Sequence, residues 1–154
     1  MDLVLWRHAE AESGEPDEGR KLTPKGEKLA RRVAEWLHSR LPDTAKILSS
    51  PARRAQQTAQ ALAEVSHRKI KTLDALAPDA TADEILDAVG WTAGKGTLVV
   101  VGHQPTLGRI ASRLLAREER DWPVKKGAVV WISHRESNGD AEPILRAAIG
   151  PELA

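Results

Sequence analysis

The sequence predicts an α/β domain, a three-layer α/β/α sandwich around a mostly parallel mixed sheet. Three observations predict it. Short apolar runs alternate with longer amphipathic stretches through most of the 154 residues. The run at residues 96–101 is rich in valine and uninterrupted, as a central parallel strand buried on both faces requires. Two apolar segments near the C-terminus, residues 128–133 and 143–149, flank the turn signal Ser137-Asn138-Gly139-Asp140 and so read as an antiparallel hairpin.

Leu3, Val4, Leu5 and Trp6 read as a buried strand, because consecutive apolar residues offer water no polar face. The strand stops on Arg7 and His8. Residues 9–21 are polar and aperiodic and hold Gly14, Pro16 and Gly19, which makes them a loop. Thr23 as N-cap and Pro24 as first residue open a helix running to about Arg40. Its inner face is Leu29, Val33, Trp36, Leu37 and Leu41. Residues 45–48 form a second strand. Ser50 as N-cap and Pro51 as first residue open the next helix, with Ala52, Ala55, Ala59, Leu62 and Ala63 inward and its end before His67. Arg53 and Arg54 fall in or near its first turn. The helix dipole disfavours cations there, so a compensating anion is expected.

Residues 70–73 form a third strand, and residues 74–80 a turn-rich connection. Thr81-Ala82-Asp83-Glu84 has the capping-box pattern, which assigns Glu84 to a helix cap rather than to catalysis. Ile85, Leu86 and Val89 are that helix's apolar face, and Gly90 ends it. After the strand at residues 96–101 comes Gly102-His103-Gln104-Pro105. Pro105 opens a helix with Leu107, Ile110, Ala111, Leu114 and Leu115 inward.

The length suits one domain over residues 1–154. With 23 basic and 22 acidic side chains, the chain has no general attraction to nucleic acid or to an anionic membrane. It has no cysteine, which excludes disulfides and thiolate chemistry. No apolar run has the length of a membrane span or of a signal-peptide core, so a cytoplasmic location is expected. Phe and Tyr are absent, and stacking platforms for single-stranded nucleic acid are not expected. Trp6, Trp36 and Trp131 read as core; Trp91 and Trp122 lie near loops and fit either core or surface. His38, His67 and His134 read as surface residues.

Three strand ends therefore carry unusual groups: Arg7-His8, residues 49–54, and Gly102-His103. In a parallel sheet these ends share one side, where α/β proteins bind ligands. Two histidines and two arginines converging there suit a phosphate dianion, with guanidinium forks and a helix N-terminus as donors.

Leu5-Trp6-Arg7-His8-Ala9-Glu10 resembles the Arg-His-Gly/Ala motif of the histidine phosphatase superfamily, the phosphoglycerate-mutase-like enzymes. The segment from Ser49-Ser50-Pro51 to Arg54-Ala55 and Gln57-Thr58 is similar to the second motif of that family, and Val101-Gly102-His103-Gln104-Pro105 to the third. Arg20-Lys21-Leu22-Thr23-Pro24-Lys25-Gly26 resembles its Arg-x-Leu-Thr-x-x-Gly segment. The short chain, with no long insertion after the second motif, is most similar to the SixA-type phosphohistidine phosphatases.

The resemblance implies a phosphoglycerate-mutase-like fold. It also implies that His8 is the nucleophile and becomes a phosphohistidine, while Arg7, Arg54 and His103 hold the phosphoryl oxygens. Arg54 matches the arginine of the motif and Arg53 is its exposed neighbour; Arg20 falls at the pocket mouth as a substrate-binding residue. No metal or other cofactor is expected, because these side chains already supply positive charge. A neutral imidazole is a competent nucleophile at pH 7, and Arg7 with a protonated His103 would keep His8 neutral. The expected substrate is phosphohistidine in a protein, with inorganic phosphate as product and no nucleic-acid or membrane partner. The alternatives are a small phosphate ester and, from another class, a non-catalytic phosphoprotein-binding module.

Ester-cleaving relatives place a carboxylic acid after the third strand, where this chain has Ala75 with Asp74 one residue early. Such an acid contributes about 10²–10⁴-fold, most of all for an alkoxide leaving group. A phosphoramidate depends on it less, which agrees with the SixA-type reading. Asp74, Asp79 and Glu10 remain alternative acids.

Overall fold

The computed structural model describes residues 1–91, 94–137 and 140–154. Strands β1 (Asp2–Arg7), β2 (Lys46–Ser49), β3 (Ile70–Thr72) and β4 (Thr97–Gly102) run parallel. β5 (Val129–Ser137) runs antiparallel to β1, and β6 (Asp140–Ile149) antiparallel to β5. They form one sheet in the order β3-β2-β4-β1-β5-β6.

Successive strand residues point to opposite faces, so β1 divides its side chains between two cores. Val4 and Trp6, with Val99 and Val101 of β4, pack among helices α1 (Pro24–His38) and α2 (Arg53–Ser66). Leu3 and Leu5, with Val100, pack among α3 (Ala82–Val89) and α4 (Thr106–Ala116). Leu3, Val4, Leu5 and Trp6 are all fully buried. The expected α/β/α layers follow directly from this double burial.

The expected caps of two helices are present. The Thr23 hydroxyl accepts the Gly26 N–H at 2.9 Å and Pro24 opens α1. Thr81 accepts the Glu84 N–H at 3.1 Å, and Gly90 ends α3 at φ 65°.

Other expectations are corrected. α2 begins at Arg53, with Ala52 rather than Ser50 at the N-cap. Ser50 and Pro51 belong instead to the turn leaving β2, held by the Ser50 N–H on the Val101 carbonyl at 3.0 Å. The inner face of α1 centres on Ala30, Val33, Ala34 and Leu37. Leu29 and Trp36 are only half-buried, and the Arg40 guanidinium covers the Trp36 ring at 4.4 Å. Trp91 is buried and Trp122 exposed. His38 and His67 are exposed as expected, but His134 is half-buried, its ring 4.9 Å from that of Trp91. The hairpin is longer than predicted, pairing as far as Ser137 with Asp140; Asn138-Gly139 lies outside the described residues.

Gly26 is where α1 crosses the chain leaving β1. A Cβ there would lie 2.1 Å from the Glu10 carbonyl oxygen. Alanine normally favours a helix interior over glycine by about 1 kcal/mol. Here the obstacle is backbone, and Gly26→Ala is expected to destabilise the protein by about 1–3 kcal/mol. Thermal melting checks the sign: a raised Tm would show that the two segments can separate without cost.

Candidate active site

The register of β1 and β4 pairs Arg7 with Gly102, which sets His8 and His103 side by side just past the two strand ends. Their ring centroids are 5.2 Å apart. The His8 N–H donates to the Gly102 carbonyl at 3.1 Å, continuing the ladder by one bond. On the next strand over, Ser49 pairs with Val101, so the turn after β2 reaches the same level. From the other side, the Gly127 N–H lies 3.1 and 3.0 Å from the carbonyls of Arg7 and His8.

His8 is buried, and its Nδ1 sits 2.8 Å from the Ala9 carbonyl. A carbonyl only accepts, so Nδ1 carries the proton and Nε2 keeps the lone pair. Nε2 of His103 lies 2.7 Å from Oγ of Ser50. That hydroxyl also accepts the Ala52 N–H at 3.1 Å. His103 Nδ1 is buried without a partner.

The arginines also leave buried polar atoms without partners. Arg54, on the first turn of α2, is buried; it donates from Nη1 to the Asp17 carbonyl at 2.9 Å and from Nη2 to Asp17 Oδ2 at 3.2 Å. Arg7 donates from Nη1 to the Val124 carbonyl at 2.8 Å. Arg20 Nη1 is 3.6 Å from Asp17 Oδ1. Nε of Arg7, Arg20 and Arg54 is buried without a partner. With His103 Nδ1, these atoms make up all but one of the unpartnered buried side-chain donors and acceptors among the described residues; the other is Arg68 Nε. Buried polar groups are normally satisfied, so their concentration here points to an anion.

Burial, opposed by the Ala9 hydrogen bond and aided by the charges of Arg54, Arg7 and Arg20, lowers His8 from 6.5 to about 4. Burial, then His8 and Arg54, lowers His103 from 6.5 to about 3. The expectation of a protonated His103 is therefore corrected: two buried imidazoles between guanidiniums are both neutral at pH 7. A phosphate dianion arriving beside His103 would favour its imidazolium form.

NMR titration of the free protein is expected to show neither ring protonating between pH 8 and 5. A midpoint near 6.5 for either would contradict the burial. The linked effect on stability has a defined sign. Each unfolded ring binds a proton below 6.5, whereas folded His8 does so only near 4. The stabilisation from keeping His8 neutral is thus complete above pH 6.5 and is lost as pH falls from there through about 4.

The charges of Arg7, Arg20 and Arg54 act on the His8 ring and those of Arg7 and Arg54 on His103, while Arg53 is exposed as expected. Three contributors were not assigned. Ser50, read as a helix cap, orients His103. Thr58 accepts the Ala9 N–H at 3.0 Å and donates to the Arg54 carbonyl at 2.8 Å, tying the segment after β1 to α2. Asp17 reaches Arg54 from an aperiodic loop; the only signal for it was the anion expected beside the first turn of α2. Glu10 Oε2 accepts from Thr23 Oγ1 at 2.8 Å, Asp74 and Asp79 are exposed, and none bonds to a site residue among the described residues.

The histidine phosphatase superfamily (branch 1) profile matches residues 3–78. An uncharacterized protein of Mycobacterium tuberculosis is 36% identical over 108 residues, 68% of this chain and 66% of that protein. The chain thus matches just under two thirds of that relative's length. An uncharacterized protein of Picosynechococcus sp. is 35% identical over 122 residues, 74% of this chain and 73% of that one. Among solved structures, a protein of Nakamurella multipartitia assigned as the phosphohistidine phosphatase SixA superposes with a TM-score of 0.80 at 29% identity, covering 97% and 95% of the two chains. The protein histidine phosphatase SixA complexed with tungstate shares the fold at TM-score 0.83 and 21% identity, over 99% of each chain. A phosphoserine phosphatase from Entamoeba histolytica shares it at TM-score 0.71 and 18% identity, over 98% of each. No helix among the described residues is long and apolar enough to cross a membrane. By profile, identity and fold together, this chain belongs to the histidine phosphatase superfamily and is SixA-like within it.

Proposed function

We propose that this protein is a phosphatase working through a phosphohistidine on His8, without a metal, and that its substrate is phosphohistidine in a protein. One observation carries the reading. The Nε2 lone pair of His8 sits in a buried cluster whose unpartnered polar atoms belong to Arg7, Arg20, Arg54 and His103. Arg7, Arg54 and His103 hold the phosphoryl oxygens while Nε2 attacks phosphorus in line with the leaving group. Phosphoryl transfer has a loose transition state, so positioning and charge neutralisation are most of what a protein can supply. Water then attacks phosphorus, the Nε2–P bond breaks, and inorganic phosphate leaves with His8 neutral again. Arg20 steers the incoming group from the mouth.

The leaving group is inferred from what surrounds the site. Ala75 carries no acid, and Glu10, Asp74 and Asp79 do not bond to it. An alkoxide would leave unprotonated; a leaving imidazole takes its proton from water. We expect kcat/KM on phosphohistidine peptides to exceed that on small phosphate esters by at least about 100-fold. Asp74→Asn should change neither rate, and EDTA should leave both intact. Faster hydrolysis of sugar phosphates would favour the small-ester enzyme. Tight vanadate binding with no hydrolysis would favour a phosphoprotein-binding module. Loss in EDTA, restored by a divalent metal, would refute the metal-free site.

A further inference from the structure

The loop between β1 and α1 carries an anion into the cluster. Asp17 engages both terminal nitrogens of Arg54, one through its carbonyl and one through Oδ2, while Oδ1 faces Arg20 at 3.6 Å. Its carboxylate spans two guanidiniums with one oxygen on each, the arrangement a phosphoryl group would take. The two partners differ in burial: the Arg54 side chain is 6% exposed and that of Asp17 56%. The cation is therefore built into the fold, while the anion reaches it from solvent.

The loop around Asp17 is anchored at its base and open at its tip. The Glu12 N–H donates to the Lys21 carbonyl at 2.8 Å, the Thr23 N–H to the Glu10 carbonyl at 3.0 Å, and the Leu22 N–H to the Gln57 side chain at 2.7 Å. Between these ties, Ser13 to Gly19 are all exposed. A short helical turn, Asp17–Gly19, presents the carboxylate. Such a lobe can lift its tip without disturbing the base.

Resting on the assignment of Arg54 to phosphoryl binding, we infer that Asp17 is a built-in competitor for the phosphoryl site. It satisfies and positions Arg54 and Arg20 when they hold no phosphoryl group, and it is displaced when one binds. Arg54 keeps an unpartnered Nε–H and a second proton on each Nη for a phosphoryl group, but a carboxylate and a phosphoryl dianion on one guanidinium repel at this range. The residue therefore sets how tightly the site keeps substrate and product without touching phosphorus. It is a positioning residue that weakens binding of the inorganic phosphate product.

The test measures binding of orthovanadate and inorganic phosphate by calorimetry, alongside KM and kcat. Removing the charge in Asp17→Asn should tighten both anions about tenfold and lower KM by a similar factor. Asp17→Ser should show the same gain, and Asp17→Glu, which keeps the charge, should not. Unchanged or weaker binding in Asp17→Asn, with binding lost in Arg54→Ala, would overturn the competitor role and leave the phosphate site standing. Wild-type affinity in Arg54→Ala would overturn both.

Discussion

His8→Ala is expected to lose turnover by at least about 10⁴-fold and to form no phosphoenzyme, because on the proposed mechanism it removes the atom that accepts the phosphoryl group. The rest of the cluster stays. Arg7, Arg54 and His103 are held by bonds that do not involve the His8 ring or by other elements, so the variant should still bind orthovanadate. Rapid quenching of wild type with a labelled phosphohistidine peptide should trap an acid-labile, base-stable phosphoprotein that the variant lacks. His8→Asn, which keeps a polar side chain, should be equally inactive. Wild-type turnover in either variant would refute the mechanism. The small size of alanine limits the cost to folding. Removing a buried, desolvated imidazole also removes a group that opposes folding below pH 6.5, so the melting temperature at pH 5 should not fall as far as at pH 8.

Arg54→Ala is expected to lower kcat/KM by about 10²–10³-fold, the range seen when one preorganised donor to a developing charge is deleted. The guanidinium sits in the first turn of α2, where the helix dipole opposes a cation, so its position is difficult to explain by stability. Its removal should cost little melting temperature, because its side-chain bonds go only to Asp17 on an exposed loop tip and its tie to Thr58 runs through the backbone carbonyl. Activity should fall without the fold. Arg54→Lys should recover part of the loss at most, since a lysine presents a point charge and not a planar fork. A large fall in both activity and melting temperature would mark Arg54 as structural. Unchanged kcat/KM would remove it from the site altogether.

Much of the fold was legible because its signals are local. The run from Leu3 to Trp6 cannot face water. Thr23-Pro24 and Thr81 to Glu84 carry helix starts within a few residues. Chains that alternate such runs with amphipathic stretches build parallel sheets. The site was legible for a related reason: parallel strands align their ends, so Arg7-His8 and His103 had to meet once β1 and β4 were neighbours. Segments whose conformation depends on distant partners were less legible. Ser50 has the chemistry of an N-cap, but the Val101 carbonyl and the His103 ring claim it for the strand-end turn. Trp36 lies at a helical core spacing, yet the small residues Ala30 and Ala34 take the inner face and leave the indole under Arg40. His134 borders the surface in sequence but meets Trp91 across the fold.

By itself, the sequence determined the family, the layer order and the cation-rich strand ends, because each rests on residues close together in the chain. Tertiary structure alone decided the protonation of the two histidines and the place of Asp17. Burial lowers both imidazoles, and burial belongs to the packed molecule. Asp17 lies 37 residues from Arg54, in a loop without periodicity, and only the closed fold brings the two together.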